Sequence, residues 1–442
     1  MKKFISAMLA CFMLAGCGSA SSTATAAASE GAAQGSMSDS SEKVQVEFWY
    51  SGGKTAVGVV QEIIDSFNAS QDQYEVTAVT QADYDETYQK LQAAIAGNAA
   101  PDLVLLDASP TRQLYEKGLI QPIDDYNNAD PEFSASNYVS TFYEQGTSSD
   151  GTQFALPAYG TTQVLYYNVQ AFADAGVDPA SIKTWQDLAE AAQKIKETGK
   201  YEYGWEPMWG VDNLIDAAFS NGAEVFSDDG KTVTINSDEW VEVWESFRKW
   251  IHDDQIMGIH SGGQGWEYWY ATIDDVLQNK AGGYTGSSGD QADLDFTIVQ
   301  AMEQPAWDDD SESAPMAEAL LMSAVKGGSE AEMQGAYEFM RYFTDVDAQI
   351  KWNETVGYVA VNKKILENSD YQSFLKENPQ AAVPLSQADH GSIYPVDPTN
   401  GKVYDALKIA ADKVEIDGTD AKEALDEAQK TAQEALDAAL AG

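Results

Sequence analysis

The feature that most constrains the fold is a repeated switch between two hydrophobic periods. Val44, Val46 and Phe48 alternate along Val44-Gln45-Val46-Glu47-Phe48-Trp49-Tyr50, the period of a strand. Ser51-Gly52-Gly53 then turns the chain into Val60, Ile63, Ile64 and Phe67, spaced for one helix face. The switch recurs with a strand over 74–79 and a helix marked by Tyr88, Leu91 and Ile95, which Gly97 should end as a left-handed cap. Leu103-Val104-Leu105-Leu106 is wholly apolar, as in a strand buried on both faces. Asp107 follows it, and Ser109-Pro110 reads as the cap and first turn of a helix ending at Gly118. Such alternation predicts an α/β body with a mainly parallel sheet. Open sheets of this kind bind ligands beyond the carboxyl ends of their strands, so position alone makes Trp49 and Asp107 site candidates.

The 442 residues allow two or three domains. Leu156-Pro157-Ala158-Tyr159-Gly160 interrupts the first pattern before a strand at 164–168, and a second α/β body follows. Thr184-Trp185 opens a helix, and Trp240, Val243, Trp244, Phe247, Trp250 and Ile251 form a helical stripe. Val225 and residues 232–235 flank a turn sequence suited to a hairpin, and an apolar strand over 319–325 precedes a helix carrying Ala336, Phe339, Met340 and Phe343. From Asp420 the tail is an amphipathic helix that needs a body to dock on.

The first forty residues address the compartment. Lys2 and Lys3 precede an apolar run too short for a permanent membrane span, which ends in Leu14-Ala15-Gly16-Cys17. That pattern resembles a bacterial lipobox and implies a signal peptide over 1–16 with lipidation at Cys17. Residues 17–41, rich in Ser, Ala, Gly and Thr, read as a lipid-anchored flexible tether, placing the body at the outer face of the cytoplasmic membrane. Removal of Cys11 with the signal would leave one cysteine, which excludes disulfide and thiol chemistry in a monomer.

Composition excludes other classes. Lys plus Arg total 26 against 71 Asp plus Glu, a net charge of −45, and no basic stripe exists to meet a nucleic acid. Ser-x-x-Lys occurs at Ser51, Ser323 and Ser373 without its companion motifs, so it reads as chance. His252, His260 and His390 show no metal-ligand spacing, and no phosphate-binding loop is present. Neither cofactor nor metal is expected. Trp185, Trp240, Trp244, Trp250 and Trp352 sit at apolar helical spacing and read as core. Trp49, Trp205, Trp209, Trp266, Trp269 and Trp307 do not, which leaves them free for ligand stacking.

Four segments in order then carry a family likeness: Val46–Gly53, Asn98–Asp107, Phe154–Asn168 with Thr184–Leu188, and Gly335–Leu366. Together they resemble the extracellular solute-binding proteins of family 1, the sugar-type components of ABC importers. The resemblance implies a periplasmic-binding-protein-like α/β fold, with two lobes, a hinge and an interlobe cleft. Its lobes would be 42–156 with 316–356, and 160–312 with 360–442. It also implies a monomer that closes on a carbohydrate and delivers it to permease subunits, without catalysis. Family positions carried over to this chain give Trp49, Tyr84, Asp107, Tyr159, Gly160, Trp209, Tyr284 and Tyr358 as ligand-binding candidates. Relatives that bind glycerol phosphates keep an arginine in the C-terminal segment. Residues 389–404 here contain none, so a neutral mono- or oligosaccharide is expected ahead of glycerol 3-phosphate or a glycerophosphodiester. A secreted carbohydrate-active enzyme and a sensor partner are the remaining alternatives.

Overall fold

The structure is a computed structural model that describes residues 43–388 and 390–441. The segments expected to be a signal peptide and a tether, with Cys17, lie outside the described residues. Among those described, eight strands are β1 (Val44–Tyr50), β2 (Tyr74–Thr80), β3 (Leu103–Asp107), β4 (Leu156–Asn168), β5 (Glu206–Pro207), β6 (Gly283–Ser287), β7 (Val299–Met302) and β8 (Ala317–Ala324). They run in the order β2-β1-β3-β8-β4-β6-β5, with β7 beside β4.

The first three strands follow the sequence pattern. β1 pairs in parallel with β2 and β3, and the crossovers carry the Lys54–Ser70 and Tyr84–Ala96 helices. The sheet as a whole is mixed, because β8 returns antiparallel to β3 and β4 antiparallel to β8. Those pairings join residues far apart in the chain, which local periodicity cannot encode.

β4 joins the two halves of the molecule. Its residues 156–162 pair with β8, while 163–168 pair with β6 and β7. The expected interruption at Leu156–Gly160 is therefore the first half of one 13-residue strand. Its register shifts between Pro157 and Tyr159, an irregularity at which proline is tolerated within a sheet.

Two termini also differ from expectation. Gly97 has φ −88°, and Asn98 takes the left-handed conformation at φ 53°. The third helix runs Ala108–Glu116 with Asp107 as its cap residue, so Ser109 lies inside the helix. The hairpin expected near 225–235 reduces to one antiparallel bridge, Phe226 to Val233.

Two large apolar cores flank β4. The first joins β1, β3, residues 154–159 and β8 to the Glu330–Phe343 helix, with Trp352 and Val359. The second gathers residues between 165 and 316 with 403–436. Trp185, Trp240 and Trp244 are buried there as their helical spacing indicates. Trp205 and Trp307 are equally buried, which corrects their candidacy for stacking. Both sit outside helices, so no helical stripe could mark them as core.

The tail helix, Ala421–Leu440, seals this second core with Ala421, Ala424, Leu425, Ala428, Ala432 and Leu436. Each fully buried leucine there contributes roughly 1.5–3 kcal/mol. Asp420 caps it by accepting from the Glu423 N–H at 3.1 Å. None of the described helices is long and apolar enough to cross a membrane.

Candidate functional site

The seam where β4 passes from one core to the other collects aromatic and acidic side chains from both. On the first-core side Tyr159 is the centre. Its ring stacks at 4.7 Å on Trp352 and at 4.6 Å on Tyr358, and its hydroxyl lies 3.2 Å from that of Tyr84. Tyr84 is the first residue of its helix, with Asp83 capping from behind by accepting the Glu86 N–H at 2.7 Å. Asp107 ends β3, and its half-buried carboxyl shares this pocket's field with Tyr84, Tyr159 and Tyr358. Gly160 keeps the strand close to its neighbours. It exchanges two 2.8 Å backbone bonds with Val359, and a Cβ there would fall 2.2 Å from the Phe142 ring.

The second-core side presents acids held by aromatic donors. The Tyr404 hydroxyl donates to Asp212, in the first turn of the Val211–Ser220 helix. Asp290 accepts from Trp269 Nε1 at 2.7 Å and from the Tyr284 hydroxyl at 3.2 Å, while the Tyr284 ring stacks on Tyr166 at 5.0 Å. Trp209 meets Tyr268 edge to face at 4.8 Å and donates to Asp412 at 2.9 Å.

Electrostatics tie the sides together. Burial, then the charges of Asp212 and Asp85, push the Asp107 carboxyl up to about 7. Burial raises Asp212, and burial followed by Asp212, Asp107 and Asp216 raises Glu318 on β8 well above the carboxylate range. Burial lifts Asp290 to about 8. Lys408 is the base that lowers both Asp107 and Asp212, and it pairs with Asp85 at 3.7 Å. All three arginines are engaged elsewhere. Arg112 donates to the Gln145 and Thr147 carbonyls, Arg248 pairs with Glu245 and Asp253, and Arg341 pairs with Asp130. Such a seam offers ring faces with acceptors and donors beside them, which suits ligands bearing many hydroxyls.

The sequence candidates divide accordingly. Tyr84, Asp107, Tyr159 and Tyr358 come together in one cluster. Tyr284 joins through Asp290, whose charge also acts on Tyr358; its own side chain, like that of Tyr159, is fully buried. Trp209 reaches the group through Tyr268, which feels both Asp212 and Asp290. Gly160 acts through packing. Trp49 stands apart, because its indole donates to Glu47 at 2.6 Å on the face of β1 opposite Val46, Phe48 and Tyr50. Asp212, Asp290, Glu318 and Tyr404 were not legible in advance. With 71 acids in the chain, nothing local distinguishes Asp212, Asp290 and Glu318 from the rest, although the glycine-rich run at 282–289 does lead directly to Asp290.

The sequence pattern of the family described as bacterial extracellular solute-binding protein matches residues 62–383. The sn-glycerol-3-phosphate-binding periplasmic protein UgpB of Agrobacterium fabrum is 25% identical over 357 residues, covering 78% of this chain and 80% of the relative. UgpB of Yersinia pestis is 26% identical over 362 residues, again covering 78% and 80%. Among solved structures, the GacH receptor of Streptomyces glaucescens, determined unliganded and with acarbose, superposes with a TM-score of 0.78 at 16% identity, covering 89% of this chain and 99% of that one. UgpB of Mycobacterium tuberculosis in complex with glycerophosphocholine gives 0.79 at 19% identity, covering 90% and 99%. At these identities the superpositions establish the fold alone.

Proposed function

Because the chain belongs to the bacterial extracellular solute-binding proteins, we propose that it is the capture component of an ABC importer and takes a neutral mono- or oligosaccharide. Its lobes in this reading are 42–156 with 316–356, and 160–312 with 360–442, hinged where β4 crosses between cores. Ligand touching both sides of the seam favours the closed form, and permease subunits read that form. A ligand held equally in open and closed states shifts nothing, so the second-core residues decide the response. Binding without chemistry is the whole activity. Cys17 carries a lipid that holds the body, as a monomer, at the outer face of the cytoplasmic membrane.

The observation that carries the ligand class is the seam's lining of carboxyl groups with no arginine among them. Asp107, Asp212, Glu318 and Asp290 surround its tyrosines, and each arginine is engaged elsewhere. A dianionic phosphate entering here finds no guanidinium fork and only Lys408, already shared with Asp85, whereas a carboxyl hydrogen-bonds a sugar hydroxyl whether or not it holds a proton. The second reading, glycerol 3-phosphate or a glycerophosphodiester, is favoured by the names of the sequence relatives. Thermal unfolding of the full-length protein against saccharides and glycerophosphates separates the two, since a ligand at a hundred times its Kd stabilises by about 2.7 kcal/mol. A shift with neutral sugars and none with glycerophosphates is expected. A shift with glycerophosphates alone replaces this reading with the second.

A further inference from the structure

A second cluster lies outside the seam. Glu206 on β5, His260 in the loop before the Glu267–Leu277 helix, and Asp275 on that helix bring one ligand atom each within 4.8 Å of the others. His260 Nε2 lies 3.0 Å from Asp275 Oδ2 and 3.6 Å from Glu206 Oε1. Donors around a tetrahedral ion with bonds of about 2.0–2.1 Å stand roughly 3.3 Å apart, a spacing these two distances bracket.

The Glu206 side chain has 0% exposure, and neither of its oxygens finds a hydrogen-bond partner. A buried carboxyl in that position is strongly unfavourable unless a proton or a cation satisfies it. Burial, then the charges of Asp275 and Glu202, push it up to about 9. Lys280 Nζ holds Asp275 Oδ1 at 2.7 Å, which fixes the carboxylate with its other oxygen toward His260. His260 itself is 35% exposed, and its neighbours Ile259 and Ser261 line a surface depression of about 490 Å³, so the cluster has a route to solvent.

We propose that Glu206, His260 and Asp275 form a binding site for a divalent first-row transition ion, with Zn²⁺ as the probe of choice. One imidazole and two carboxylates suit such an ion, whereas Ca²⁺ and Mg²⁺ prefer six or more oxygens. An ion there ties β5, at the edge of the sheet, to the helix beside it. The three ligands come from separate segments, so no spacing motif announces them.

The test is calorimetric titration of chelator-treated full-length protein with ZnSO₄ and, separately, MgCl₂, with thermal unfolding alongside. One Zn²⁺ per chain, a raised Tm and no Mg²⁺ heat are expected. His260→Ala, a change at a partly exposed position, should weaken Zn²⁺ at least tenfold, and Glu206→Gln should do the same. If Glu206→Gln fails to fold, His260→Ala decides alone. His390→Ala is the control, because His390 makes the separate pair with Glu303 at 3.0 Å. Absence of stoichiometric Zn²⁺ binding, binding that survives His260→Ala, or binding lost in His390→Ala each overturns the proposal.

Discussion

The two sides of the seam are built from different chemistry. The first core offers aromatic rings, with Tyr159, Trp352 and Tyr358 packed as a mutually stacked triad. The second offers acids held by aromatic donors, Asp212 by Tyr404 and Asp290 by Trp269 and Tyr284. Stacked rings are stable whether or not ligand is present, since they satisfy one another. Buried acids are not, because each keeps a desolvated carboxyl that a ligand hydroxyl can meet. The contrast assigns stability chiefly to the first side and response to ligand chiefly to the second.

The largest expected effect tests the first half of that contrast. Tyr159→Ala removes one ring of the triad at a position with 1% exposure and should cost about 3–5 kcal/mol, comparable with other buried aromatic truncations. Denaturant unfolding checks it, and a loss below 1 kcal/mol breaks the comparison. Asp212→Ala should leave that curve nearly unchanged while weakening saccharide at least tenfold, about 1.4 kcal/mol. Asp107→Ala, the acid on the first side, should weaken it by a similar factor.

A pH scan sharpens the second half. Asp216 accepts from Gln304 and the Met316 N–H in the second core, yet burial raises it, like Asp290, to about 8. From the ordinary carboxylate range up to about pH 8, the folded chain holds protons that the unfolded chain has released. Stability from these groups is therefore complete below about pH 4 and falls as pH rises through 8. Each tenfold difference in acidity between the two states corresponds to about 1.4 kcal/mol. The Tm should fall between pH 5 and pH 8, and Asp290→Asn should flatten the decline. A Tm that rises over that interval contradicts the reading of the second side. The smallest effect is expected from Trp49→Ala, whose indole faces Glu47; saccharide affinity should change less than threefold, and a tenfold loss would return Trp49 to the seam.

Local pattern made much of this legible. β1, its helix and β3 follow from periods of two and 3.6 residues, and the helix expected to open at Thr184-Trp185 does so, closed by a capping box in which Thr184 accepts the Asp187 N–H at 3.1 Å. Long-range pairing was not legible. Leu156–Gly160 looked like an interruption because its partners on β8 lie more than 150 residues away. The site divided the same way. Asp107, Tyr159 and Tyr358 sit in the segments that carry the family likeness and Tyr84 just before the periodic residues of its helix, whereas Asp212 and Glu318 matter through the field they share with Asp107, which no single segment contains. Trp49 shows the converse, since a strand-end position says nothing about which face its side chain takes.

Calorimetric titration of the most stabilising saccharide into wild type, Tyr358→Ala and Asp212→Ala probes both sides of the seam at once. Binding by the wild type, with at least a tenfold loss in each variant, is the outcome expected of a groove gripped from both cores. Undiminished affinity in either variant, or heat from glycerol 3-phosphate where every neutral sugar is silent, would show that the seam is not the carbohydrate site described.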